Sequence, residues 1–283
     1  MGGSSVGRIG FVLGGGGHLG AYEVGMLRAL LERDLTPDVV VGTSVGALNG
    51  AAIAASPTTD MVDRLDAVWR GLAHDPVFGS SLLASAATLM RTRTAIYSNA
   101  GLKRLIRSIL PVERFEDLRV RFECVASSVE RASERWFHAG PLEPAILASA
   151  AIPGLLPAVE IDGEHFFDGG LVNSIPLQRA VALGATEVYV LHVGRIEQPL
   201  SRPRNLMEVA VVSFEIARRH RFARDLADVP DDVTVHVLPT GERPVVTRAQ
   251  RARMRRYRGV ADVGDRIERA HLATRRYLAR HAV

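Results

Sequence analysis

Ser44 sits at the centre of Gly42-Thr43-Ser44-Val45-Gly46, a G-x-S-x-G pentapeptide that follows the β-branched run Val39-Val40-Val41 and precedes the small-residue stretch Ala47 to Ala55. A serine at a sharp strand-to-helix turn is held clear of both elements. Glycines two residues to either side (Gly42, Gly46) let the backbone fold where a Cβ would clash. The helix that starts there turns unpaired N–H groups and its positive dipole end toward developing negative charge. Ser44 is therefore a candidate nucleophile; the competing reading is a plain strand-to-helix turn.

A serine nucleophile needs donors for the oxyanion it creates and a base for its proton. Gly14-Gly15-Gly16-Gly17 follows the apolar stretch Ile9 to Leu13. Backbone without side chains can present N–H groups in a concavity, so Gly15, Gly16 and Gly17 with the Val45 amide are expected to form an oxyanion hole. The same loop fits G-x-G-x-x-G through Gly15, Gly17 and Gly20, which also suits dinucleotide binding. That reading needs a ribose-binding acid at the end of the second strand, where this chain has Gly42-Thr43-Ser44. Asp38 lies at the wrong end of that strand, and the Gly-Lys-Ser/Thr of a P-loop is missing.

For the base, Asp168 in Phe166-Phe167-Asp168-Gly169-Gly170 ends a strand returning from the Asp162-Gly163 turn. Two glycines let the chain pass close to Ser44; on these residues alone, a second Asp-Gly turn explains Asp168 equally well. Of nine histidines none has a comparable setting. His165 lies on the hairpin, and His192 and His236 alternate with apolar residues in strands. No His/Cys cluster with ligand spacing points to a metal.

The elements that must position these residues read as strand, glycine loop, helix (Ala21 to Glu32), strand (Val39 to Val41) and an Ala-rich helix, a βαβ unit with parallel neighbouring strands. Val24, Leu27 and Leu31 form the core stripe of the first helix. Amphipathic helices are expected over 59–73 and 98–110, strands near 120–127 and 135–138, and a helix from Glu143 to Ala151. Further strands are expected at Thr186 to Val193 and Val233 to Leu238. The apolar stretch Leu82 to Met90 reads as a core helix, with a lid as the alternative. Alternating elements of this kind predict an α/β three-layer sandwich with a mostly parallel central sheet.

Length and composition are those of one globular α/β body. The single Cys124 cannot make an internal disulfide and is expected to be a buried thiol. No apolar run reaches membrane-spanning length, and the first residues have neither a signal-peptide core nor a myristoylation pattern, so a cytoplasmic location is expected. From Arg248 to Val283 eleven Arg face three acids, whereas residues 1–247 carry more acids than bases. Val263, Ile267, Ala270 and Tyr277 fall at helical spacing in that basic segment, which should dock on the body. Its charge also suits peripheral contact with an anionic membrane. No nucleic acid partner is expected.

The ordered blocks Gly15-Gly16-Gly17-x-x-Gly20, Gly42-x-Ser44-x-Gly46 and Asp168-Gly169-Gly170 resemble the signatures of the patatin-like phospholipase family. Ser149-Ala-Ala-Ile-Pro-Gly and Asn173-x-x-Pro176 are similar to its pattern too, and the likeness covers about residues 8–195. The resemblance implies a Ser44–Asp168 dyad without a catalytic histidine, an oxyanion loop at Gly15 to Gly17, a lipid or acyl-ester substrate, and no cofactor. Where many members carry a basic residue before the last glycine of the first block, this chain has Leu19.

The expectation is a metal-independent lipolytic serine acyl hydrolase of the phospholipase A, lysophospholipase or esterase type. Its patatin-like domain would span 1–240, with an Arg-rich helical extension over 241–283. The alternatives are a Ser-His-Asp α/β-hydrolase using His192 or His236, and a lipid- or anion-binding member with little or no turnover.

Overall fold

The computed structural model describes residues 7–72, 90, 94–193, 199–242 and 263–281. Strand β1 (Ile9–Leu13) lies between β2 (Val39–Thr43) and β7 (Glu187–Leu191), parallel to both. Around them come β3 (Arg121–Ser128), β4 (Ser133–Phe137), β5 (Val159–Ile161), β6 (Glu164–Asp168) and β8 (Thr234–Val237). Hydrogen-bonded neighbours run β5-β6-β3-β2-β1-β7-β8, with β4 also on β3. The β1, β2, β3, β7 and β8 ladders are parallel, and β4, β5 and β6 make the antiparallel ones.

The continuous apolar runs of β1, β2 and β7 reflect burial on both faces of the sheet. Side chains alternate between two cores, as a strand's period of two requires. Phe11, Leu13, Val40, Tyr189 and Leu191 join the larger core, with α1 (Ala21–Leu31), α2 (Val45–Ala55), α3 (Thr59–Leu72), α4 (Ala100–Ile109) and α5 (Leu142–Ser149). Val12, Val39, Val41, Val188 and Val190 join the smaller core, with α6 (Leu177–Ala182) and Phe222 of α7 (Leu206–Ala227). Helices on both faces of a mostly parallel sheet make the expected sandwich. Cys124 is buried in β3.

Two differences from the sequence reading have physical causes. The first helix was expected to bury one stripe, yet all of α1 except Arg28 is buried. Its outer side is covered by α8 (Val263–Arg280), whose Ile267, Ala270, Thr274 and Leu278 are buried. A Cβ on Gly25 would stand 2.1 Å from the Ile267 carbonyl oxygen, so only glycine permits this approach. Second, α7 was not foreseen, because its apolar residues do not form one stripe. The stretch Leu82 to Met90, apart from Met90, and the basic stretch 243–262 lie outside the described residues.

Candidate active site

The register of β3 explains how residues far apart in sequence meet. Cys124 and Val125 pair with β2 on one edge and β4 on the other, while Ala126 to Ser128 pair with β4 and β6. Strands β2 and β6 therefore share one edge of β3 end to end. Thr43 faces Val125 and Asp168 faces the next residue, Ala126, which brings the end of β2 against the end of β6. The hairpin that delivers Asp168 turns at Asp162 (φ 53°) and Gly163 (φ 78°), the left-handed pair of a type I′ turn.

Ser44 occupies the elbow between β2 and α2 with φ 55° and ψ −120°, a strained conformation for a residue with a Cβ. The glycines around it are forced by contact. A Cβ on Gly42 would lie 2.4 Å from the Gly46 carbonyl oxygen, and one on Gly46 would lie 2.3 Å from that of Leu13. The elbow is tied down on both sides. The Ser44 N–H donates to Ser149 Oγ (2.9 Å) and Thr43 Oγ1 donates to the Asn173 carbonyl (2.8 Å).

Ser44 Oγ donates to Asp168 Oδ2 at 2.6 Å. The other oxygen, Oδ1, accepts from the Gly170 N–H at 2.7 Å, and Ser127 Oγ donates to the Asp168 carbonyl at 2.7 Å. Asp168 is buried. Burial raises its pKa to about 6, opposed by the hydrogen bonds from the Ser44 hydroxyl and the Gly170 amide. A carboxylate so placed is a stronger base than one in water and still ionises at neutral pH.

The glycine loop lies against the elbow: a Cβ on Gly15 would be 3.5 Å from Ser44 Cβ. One expectation needs correction. The Gly15 N–H donates to the Ser174 carbonyl (2.8 Å), which the approach of the 173–176 segment brings over it, so it is not a free oxyanion donor. Among the described residues the N–H groups of Gly16, Gly17 and Val45 have no acceptor. Gly20 and Gly169 pack close to Val45 and to the Val125 carbonyl. Leu19, half-buried, packs on the larger core.

The residues of the competing readings are elsewhere. Asp38 accepts from the Ile9 N–H (2.8 Å), at the opposite end of the sheet from the elbow. His165 faces Glu130 on the hairpin at 2.8 Å, and His236 stacks on Tyr189 beside α8. His192, just beyond β7, is buried next to Gly14. Ser149, Ser127 and Asn173 were not assigned roles from sequence, although the stretches holding Ser149 and Asn173 stood out there.

An α/β sandwich with a serine at a strand-to-helix elbow, bonded to a carboxylate from a neighbouring strand, defines the class. The family model described as patatin-like phospholipase matches residues 11–181, and the chain belongs to that family. It is 35% identical over 193 residues to a patatin-like phospholipase domain-containing protein of Caenorhabditis elegans, covering 67% of this chain and 14% of that protein. An uncharacterized NTE family protein of Mycobacterium tuberculosis is 32% identical over 189 residues, 65% of this chain and 48% of that protein. Lysophospholipase nte1 of Aspergillus terreus is 26% identical over 197 residues, 67% of this chain and 12% of that protein. The matched segment is thus less than half of each relative. The crystal structure of VipD from Legionella pneumophila aligns at 14% identity with a TM-score of 0.49, covering 97% of this chain and 67% of that chain, a likeness too low to add to the assignment.

Proposed function

We propose that the protein is a metal-independent serine acyl hydrolase acting on phospholipids, lysophospholipids or related lipid esters. The observation that carries this reading is the 2.6 Å hydrogen bond from Ser44 Oγ to the buried Asp168 carboxylate at a strained elbow. Ser44 Oγ attacks the ester carbonyl carbon while its proton passes to Asp168 Oδ2. The tetrahedral oxyanion is held by the amides of Gly16, Gly17 and Val45 at the start of α2. Collapse expels the alkoxide, which takes the proton from Asp168, and leaves an acyl-Ser44. Water, deprotonated by Asp168, then attacks the acyl carbon, releases the fatty acid and restores Ser44. Gly170 holds Asp168 Oδ1, so that Oδ2 faces the nucleophile.

The lipid assignment is supported by the family and by the lysophospholipase name of one relative. The test is product release from a short-chain p-nitrophenyl ester and from a phospholipid, without added metal. Wild-type turnover should fall by at least about 10³-fold in Ser44→Ala and in Asp168→Asn, both still folded. Near-wild-type activity in either variant would overturn the dyad.

A further inference from the structure

Helix α7 changes character along its length. Its second half is anchored: Phe222 is buried, Arg221 donates to the Val172 carbonyl (3.1 Å) and pairs with Glu134 (2.9 Å), and Gln178 bonds the Asp225 carbonyl. Its first half holds four exposed apolar side chains. Val209, Val211, Phe214 and Ile216 are 45%, 64%, 40% and 56% exposed. Val209 and Ile216, seven residues apart, share one side of the helix, and Val211 and Phe214, three apart, share another.

This end adjoins the dyad. Phe214 lies 3.1 Å from the point where a Cβ on Gly170 would stand, and the Gly170 N–H holds Asp168. Leu171, the next residue, is 51% exposed. At the approach to α7, Arg202 and Arg204 are exposed, and among the described residues no acid pairs with either guanidinium. Glu215, the acid within the apolar stretch, is neutralised by Arg218 (2.8 Å) and Arg219 (2.8 Å).

We propose that the first half of α7, with Leu171, is the surface by which the protein seats on an anionic lipid bilayer, so that the Ser44–Asp168 site meets lipid at its edge. The inference rests on the lipid-ester reading above. A bilayer is favoured over a second protein copy by the charge around the patch, where two exposed arginines flank it and its one acid, Glu215, is already paired. The flanking Arg202 and Arg204 supply the attraction that anionic headgroups answer. It is also distinct from α8, the described part of the basic C-terminal segment, which packs on α1.

The test uses the full chain and vesicles of phosphatidylcholine with phosphatidylglycerol. Val211→Ser with Ile216→Ser, both exposed and outside the dyad, should weaken vesicle partitioning about tenfold per side chain. Hydrolysis of a soluble short-chain ester and the denaturation midpoint should stay unchanged. A polarity-sensitive fluorophore on Val211→Cys, selective because Cys124 is buried, should shift to the blue on vesicles. Equal partitioning of wild type and double variant, or no fluorophore shift, would overturn the proposal. So would a wild-type dimer that the double variant abolishes without change in vesicle binding. If no ester is turned over while partitioning still depends on the two side chains, the surface stands and the enzymatic reading fails.

Discussion

At the residue scale, Asp168 is the informative group, because the burial that suits it to the proposed role of base also costs stability. Its folded pKa of about 6 lies above the 3.8 of an ordinary aspartate, so the folded state binds the proton more tightly than the unfolded chain. That contribution is fully present below about pH 4 and is lost as pH rises through about 6, roughly 3 kcal/mol in all. Two outcomes follow. The rate on a neutral ester should rise with pH along one ionisation near pH 6, because only ionised Asp168 accepts the Ser44 proton; a flat profile between pH 5 and 8 would count against that role. Asp168→Asn keeps an acceptor for the Gly170 N–H and removes the buried charge. It should therefore raise stability at pH 8 by about 1–3 kcal/mol in denaturant while losing turnover, and a lower midpoint would contradict the account. Ser44 was readable from its pentapeptide and Asp168 only jointly with the family likeness, since Asp-Gly alone also spells a turn. The Ser149 bond to the Ser44 N–H and the engagement of Gly15 with Ser174 were not readable. Both depend on which loop passes over which, a property of the assembled sheet edge.

At the scale of elements, the elbow is supported by a buried polar link between three helices. Asn49 of α2 donates to Glu23 Oε2 of α1 (2.7 Å) and accepts from Trp69 Nε1 of α3 (3.1 Å). It also donates to the Gly20 carbonyl (3.1 Å), at the end of the glycine-loop turn. Burial pushes the Glu23 carboxyl well above the usual carboxylate range, with the Asn49 bond opposing, which favours the uncharged form. Glu23→Gln should then change stability by less than about 1 kcal/mol in urea. Asn49→Ala strands the Trp69 and Glu23 groups and should cost about 2–4 kcal/mol; equal effects of the two would contradict this account. The amphipathic helices were legible because each has a single period matched to its burial, and β1, β2 and β7 because each is a short, β-branched-rich apolar run. Helix α7 was not, since half of it is apolar on two sides and half charged, and no periodic stripe marks where it lies.

At the scale of the whole molecule, the question is what an Arg-rich end does on an acidic body. In α8 Ile267, Ala270 and Leu278 face inward and Arg269, Arg275, Arg276 and Arg280 outward, with His271 against Glu32 (2.7 Å) and Arg266 over the Tyr22 ring (6.0 Å). The stripe it covers on α1 includes Tyr22 and Gly25, and α1 begins directly after the glycine-loop turn. On the proposed mechanism, docking of α8 would bear on the glycine loop through α1. Deleting residues 263–283 removes the buried Ile267 and Leu278 and uncovers α1, at a cost of roughly 3–6 kcal/mol from those two side chains. Gly25→Ala is the finer probe, because its Cβ would meet the Ile267 carbonyl oxygen at 2.1 Å and one of the two helices must move. It should cost about 1–3 kcal/mol, open α8 to limited proteolysis and lower ester turnover without touching Ser44 or Asp168. If Gly25→Ala released α8 to protease while turnover stayed at the wild-type level, the extension would be a cover for α1 alone, mechanically separate from the site.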